Sequence, residues 1–270
     1  MDSSTGRPYG NAIDVGDTRV NSMALSPDGQ TLATATEDKT VQLWDWRHGK
    51  PTGTPLSGHE FGVETVAFSD DGRTLYSRSV DSVRIWETAT RRLLGTVKTR
   101  ASTTAMAISP DGRRIAIADY NYIEEFNAKS AEPTGAMIIS RGLQANALAY
   151  SGDGRYLVSV GGDNTLRLWD VDSKTQIGEA VNIAATGSGD EIQFSQDQRH
   201  IFITTYPAVD PDGGSRVHGG GVWTVPAPAA WADELCTKLV TNPSQEEWKK
   251  WVSSDQSMAA GLCPGKREPP

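Results

Sequence analysis

Ser79, His59 and Asp81 are the residue types of a nucleophilic triad, in which a serine attacks, an imidazole takes its proton and a carboxylate orients the imidazole. Such a triad needs an exposed serine and an oxyanion hole. Asp210-Pro211-Asp212-Gly213 has the look of a calcium loop, but the further carboxylates such a site requires are missing, so the stretch Tyr206 to Gly220 reads better as a hairpin insert. His200 and His218 stand 18 residues apart, and Cys236 and Cys263 stand 27 apart; neither spacing makes a metal site. No Gly-rich phosphate loop of the Walker type is present. No cofactor, no metal and no catalytic residue are therefore expected.

The composition narrows the choice of partner. The 270 residues carry a formal net charge of −8 with a pI near 5.1, and no clustered Lys and Arg that could track a phosphate backbone, so no nucleic acid is expected. No apolar run approaches the roughly 18 residues that cross a bilayer. Met1-Asp2-Ser3-Ser4-Thr5-Gly6 lacks the basic and apolar stretches of a secretory signal. A soluble, cytoplasmic protein is the expectation. Glycine is one residue in ten (27 of 270), which favours a fold with many turns over a helix bundle.

The elements that must position any site come in repeats. Ser26-Pro27-Asp28-Gly29, Ser69-Asp70-Asp71-Gly72, Ser109-Pro110-Asp111-Gly112 and Ser151-Gly152-Asp153-Gly154 each follow a short apolar run, and Ser195-Gln196-Asp197-Gln198 is a degraded fifth copy. The serines step by 43, 40, 42 and 44 residues. Each turn is followed by a second apolar run, such as Thr31–Ala35 or Tyr156–Val160, and then a third, such as Thr40–Asp45 or Thr165–Asp170. These runs are short, β-branched and bounded by turn residues, so they read as strands. A weaker Pro-x-Gly motif at Lys50–Leu56, Glu132–Ile138 and Arg7–Ile13, with relatives at Leu94–Val97 and Ile177–Val181, supplies a fourth. The sequence thus predicts five units of four strands, and an all-β fold.

The repeated Ser-Pro-Asp-Gly turns, Trp44-Asp45, Trp169-Asp170, Trp86-Glu87 and Gly58-His59 resemble the WD40 repeat family of β-propellers over roughly residues 2–225. The resemblance implies a WD40-type β-propeller with about five four-stranded blades, whose apolar sheet faces are buried by stacking on one another. It also implies that His59, Ser79, Asp81 and Trp86 form a structural hydrogen-bond network in the second blade, not a catalytic triad. The first blade offers Thr36, Asp38 and Trp44 without a histidine, the fourth has Gly161 where a hydroxyl is expected beside Asp163 and Trp169, and the third replaces Trp with Phe126. Propellers of this class bind partners where the loops leading into the strands gather, which nominates Arg19, Phe61, Arg78, Arg100, Tyr120, Tyr122 and Arg141 as a partner-binding face. Arginines and tyrosines there suit a protein or peptide ligand. The implied function is a non-catalytic interaction scaffold or sensor; the alternative is a propeller hydrolase or lyase with a site in the central channel.

Two readings of the blade count stand. The fifth unit offers three strands before Pro226-Ala227-Pro228, and Pro8–Ile13 could complete it and close a five-bladed ring. Alternatively Asp2 and Gly6 align with Asp45 and Gly49, both 43 away, as in an arc of a larger ring, and a second copy of the chain then becomes a partner. Residues 226–270 change character: Trp231, Leu235 and Leu239 recur at helical spacing, Ser244-Gln245-Glu246-Glu247 has the form of a capping box, and the last residues suit disorder. Leu235-Cys236, Glu247-Trp248 and Cys263-Pro264 resemble the helical segment that follows WD40 propellers in bacterial signalling proteins with STAND-type ATPase modules, which implies a role in signalling or regulation. Cys236 and Cys263 are either a disulfide or two reduced thiols.

Overall fold

Each Ser-x-Asp-Gly copy makes one hairpin, and the hairpin makes the sheet. The turn serine's carbonyl accepts the N–H three residues on, at Gly29, Gly72, Gly112, Gly154 and Gln198. Its hydroxyl donates to the aspartate carboxylate at 2.5–2.6 Å in all five copies. The same carboxylate oxygen takes the backbone N–H two residues on, at 3.0 Å each time. The four glycines lie at φ 65–69°, the left-handed region in which a side chain is strained. The fifth copy reaches the same region with Gln198 at φ 58°, and its side chain compensates by accepting the Gly152 N–H at 2.6 Å. The degraded motif is therefore the same turn.

The computed structural model describes residues 12–99, 103–119, 122–139, 145–183, 189–195, 197–205 and 221–227. Among them every regular element is a strand, and no helix is long and apolar enough to cross a membrane. The first sheet holds β1 (Val20–Leu25), β2 (Thr31–Thr36), β3 (Val41–Asp45) and β4 (Lys50–Pro51). The second holds β5 (Thr65–Phe68), β6 (Thr74–Arg78), β7 (Ser82–Glu87) and β8 (Leu93–Lys98). The third holds β9 (Ala105–Ile108), β10 (Arg114–Ala118), β11 (Tyr122–Asn127) and β12 (Pro133–Ile139). The fourth holds β13 (Ala145–Tyr150), β14 (Tyr156–Gly161), β15 (Thr165–Asp170) and β16 (Thr175–Asn182). The fifth holds β17 (Gly189–Phe194), β18 (His200–Thr205) and β19 (Gly221–Pro226). All are antiparallel meanders, with each strand beside its sequence neighbour.

The outermost strands depart most from the sequence reading. The predicted run Lys50–Leu56 is a strand only at Lys50–Pro51, and it rejoins β3 at a single bridge, Val41 to Leu56. Gly53 at φ 65° lifts the chain away between them, and the Arg91 guanidinium fills the space where a side chain would stand. Gly178 at φ 66° lies beside the register shift between β15 and β16. The recurrent glycine of the weak motif is thus a bulge residue.

The chain packs as two compact units, one ending at residue 119 but including 125–135, the other made of 120–124 and 136–270. In the first, Ala33, Ala35, Val41 and Leu43 of the first sheet are buried against Val63, Val66, Leu75 and Trp86. The far face of the second sheet (Tyr76, Val83, Ile85, Val97) packs on Ile115, Ile117 and Phe126 of the third. In the second unit, Val158, Val160, Leu166 and Leu168 of the fourth sheet meet Ile192, Ile201 and Ile203 of the fifth. Period-two alternation gives a sheet two apolar faces, and stacking buries the faces that meet.

The fourth strand anticipated from residues 8–13 falls outside the described residues except for Ala12 and Ile13, which are not in a strand, so the fifth sheet has three strands among the described residues. The insert from Tyr206 to Gly220 and the helices and cysteines anticipated beyond residue 227 also lie outside them.

Candidate functional site

The polar heart of the second sheet differs from the expected network by one pleat. His59 Nε2 lies 2.7 Å from Ser77 Oγ, and Trp86 Nε1–H donates to that same hydroxyl at 2.8 Å. An indole can only donate, so Ser77 accepts from it and keeps its own proton for the imidazole. Ser82 Oγ lies 3.3 Å from Nδ1 on the other side of the ring. Ser79, the residue named from sequence, is fully buried, but its hydroxyl has no partner in the structure, and neither has Asp81 Oδ1. The reason is register. Trp86 pairs with Leu75 across β6 and β7, so the hydroxyl that reaches it diagonally is two residues further on, at 77; β6 has ended by 79. The same offset holds in the first sheet, where Trp44 Nε1–H donates to Thr34 Oγ1 at 2.9 Å while Thr36 instead hydrogen-bonds Asp38. In the fourth sheet Trp169 donates to Ser159 at 2.9 Å, so Gly161 replaces no needed hydroxyl, and Asp163 accepts from Thr165 and Arg167. A period-two pattern makes 77 and 79 equivalent in sequence, which is why sequence reading could slip between them.

The imidazole is held neutral. Burial, first, and the nearby Arg84 guanidinium, second, push His59 down to about 4, against a smaller upward pull from Asp81. Arg84 comes this close because it donates to the Gly58 carbonyl, across a residue at φ 123° whose missing side chain leaves room for the guanidinium. That explains the Gly58-His59 pair. The serine and histidine are closed off from solvent, and their hydrogen bonds are spent on Trp86 and on each other.

Of the nominated partner-binding face, the described residues divide. Arg78 is only 6% exposed and is committed: its guanidinium donates to Glu64 Oε2 at 2.7 Å, to the Thr103 carbonyl at 2.7 Å and to Thr65 Oγ1 at 3.0 Å. It is a brace between the second sheet and the loop that follows it, not a contact for a partner. Glu64→Ala strands this buried guanidinium and is expected to cost about 2 kcal/mol, below the full figure for a buried pair because Glu64 is partly in water. Adding Arg78→Met to that variant is expected to change the unfolding free energy, measured by urea denaturation, by no more than about 0.5 kcal/mol, since the stranded charge goes with it. Losses that simply add would show that the two side chains do not act as a pair.

Phe61 is 50% exposed and Arg19 is exposed, whereas Tyr122 is half-buried. Arg100, Tyr120 and Arg141 lie outside the described residues. Sequence reading missed the groups that fasten Phe61 in place. Asn21 Nδ2 donates both to Glu37 Oε2 and to the Val63 carbonyl, at 3.0 Å each. The Glu37 N–H donates to the Arg19 carbonyl, Val63 N–H to Thr36 and Glu64 N–H to Arg78. These bonds join the loops of the first two sheets that carry Arg19, Glu37, Glu60 and Phe61, with Asn21 as the tie. The one available clue was that Asn21 and Glu37 flank the ends of β1 and β2. Among the described residues, no group of three or more His, Cys, Asp or Glu side chains is placed to hold a metal ion.

Four-stranded meanders with an indole N–H donating from the third strand to a hydroxyl on the second, stacked face to face, are β-propeller blades of the WD40 type. Residues 12–45, 49–87 and 142–170 match the family model for the WD domain, G-beta repeat, and these stretches are WD40 repeats. The second match runs from the outer strand of the first sheet through the third strand of the second, so sequence repeat and blade are offset by one strand. The third and fifth sheets fall outside the matches yet share the turn and the register. A search of curated proteins found no match.

Proposed function

We propose that this chain is a non-catalytic interaction module, a cytoplasmic scaffold or sensor whose loop surface around Phe61 and Arg19 docks a protein or peptide, and that it serves bacterial signalling or regulation, as the resemblance of its C-terminal segment suggests. One observation carries the reading: a large apolar side chain half in water, on a loop fastened at both ends. The loop from Leu56 to Glu64 is bonded to β3 through Leu56, to Thr36 through Val63 and to Arg78 through Glu64. A loop whose backbone is held at both ends has less freedom to lose on binding, which favours affinity. The exposed carboxylates of Glu37 and Glu60 flank it, so the best ligand carries an apolar anchor beside a basic residue. An incomplete ring would make a second copy of the chain a further partner.

The test is a library of displayed random peptides, about a dozen residues long, panned against the full chain. Enriched peptides are expected to lose about tenfold or more in affinity on Phe61→Ala and less on Arg19→Ala, and to ignore Leu94→Ala on the exposed outer strand β8. Enriched peptides that bind the Phe61→Ala protein unchanged would place the site elsewhere.

A further inference from the structure

Each stacked pair of sheets uses the same positions. Counted from the turn serine, Val66, Phe68 and Leu75 of the second sheet face the first, and Ile192, Phe194 and Ile201 of the fifth face the fourth. The corresponding residues of the first sheet are Met23, Leu25 and Leu32, with Trp44 behind them. The chemistry is the same, but the burial is not: Met23 is 66% exposed and Leu25 51%, against 4% for Val66. The last described sheet has the opposite vacancy. Gln193, Phe202, Thr204 and Val222 alternate with the residues that face the fourth sheet, so they form its other face. These correspond to the Ala33 and Ala35 side of the first sheet, which the second sheet covers completely. Here Val222 is 67% exposed and Phe202 is exposed.

We propose that the Met23–Leu25 face of one chain receives the Phe202–Val222 face of a second copy, continuing the blade stack from molecule to molecule. The occupant follows from the established interfaces. Everywhere else that the Met23-type face is seen packed within one unit, it meets the forward face of a sheet of this same repeat, and the fifth sheet carries such a face uncovered. Met23, Leu25, Leu32 and Trp44 carry no charge, and register puts one carboxylate on the Phe202 face, Glu191, which pairs with Thr204 and accepts from Gln193 Nε2 at 3.2 Å. The chain's net charge of −8 repels at a distance, and salt is expected to favour association. The contact joins two different patches, so it is head-to-tail: it closes a ring of copies or grows.

The inference does not depend on the Phe61 surface, and its test leaves that surface intact. Light scattering on the full chain at moderate salt should give a mass that rises with concentration to two or more copies. Met23→Glu and Val222→Glu, both at exposed positions, should each abolish that rise without shifting the unfolding midpoint. Mixed in equal amounts, the two variants should form a species of two chains, because one supplies an intact Phe202 face and the other an intact Met23 face. Leu25→Lys and Phe202→Lys form a second pair that should behave alike, should either glutamate variant lose its fold. A wild-type monomer at every concentration, or a mixture in which no pairing returns, overturns the proposal and gives these faces another occupant.

Discussion

Trp86→Ala is expected to lower the free energy of unfolding by about 4 kcal/mol, read as a drop in the urea midpoint, while Trp86→Phe costs no more than about 2. The indole lies in the core between the first two sheets, packed with Ala33, Leu43, Val63 and Leu75. Removing it takes away the largest side chain of that interface and leaves a cavity that backbone-bonded sheets cannot close. It also strips Ser77 of its donor. Phenylalanine keeps most of the ring and gives up the hydrogen bond. The third sheet shows that the position accepts it, since Phe126 is buried at the equivalent site against Ile115 and Ile117. The gap between the two substitutions therefore measures packing, and the cost of phenylalanine alone measures the polar contact plus a small loss of volume. Because the core is shared, both sheets should loosen together in hydrogen exchange. A Trp86→Ala protein within about 1 kcal/mol of wild type would mean that the sheets are not held by this interface.

The blades were legible because their signals are local. Five turn serines at nearly constant steps fix five hairpins, and period-two runs fix the strands that flank them. Even the degraded turn at Gln198 keeps its serine and aspartate, the two groups that make the hydrogen bonds. The polar centre was legible only to within one pleat. Ser77 and Ser79 are one strand period apart, and nothing local says which of them the indole reaches; the cross-strand register of β6 and β7, which ends at Arg78, decides it. Arg78 was misjudged for a related reason. An arginine at a strand end reads as a loop residue, but Glu64 and the Thr103 carbonyl, 14 and 25 residues away in sequence, take its guanidinium inside. Asn21 and Glu37 escaped notice because their importance lies in what they bond, 16 residues apart and across two loops.

Stability should depend on pH through His59 in a window separate from that of the carboxylates. In the unfolded chain the imidazole titrates near 6.5; in the folded chain burial, aided by Arg84, brings it to about 4. Above pH 6.5 both states are neutral at this site, and pH has no effect through it. Between 6.5 and 4 the unfolded chain takes up a proton that the folded chain refuses, so stability falls as the pH falls, by about 1.4 kcal/mol per unit and about 3 kcal/mol in all. The turn aspartates act lower down. Asp28, Asp71 and Asp197 are held below the usual carboxylate range by the hydroxyls of Ser26, Ser69 and Ser195 and by backbone N–H groups. Their contribution is present above the unfolded carboxylate value near 4 and is lost below it. His59→Gln separates the two effects. It is expected to be less stable than wild type at pH 7, where the neutral imidazole bonds Ser77 and Ser82, and to lose that disadvantage as the pH approaches 4. The other histidines and the aspartates are common to both proteins and drop out of the difference. Unfolding free energies from urea curves at pH 7, 6, 5 and 4 should therefore converge for the two proteins by about 3 kcal/mol, and values that stay parallel would mean that the imidazole is not sequestered against Ser77.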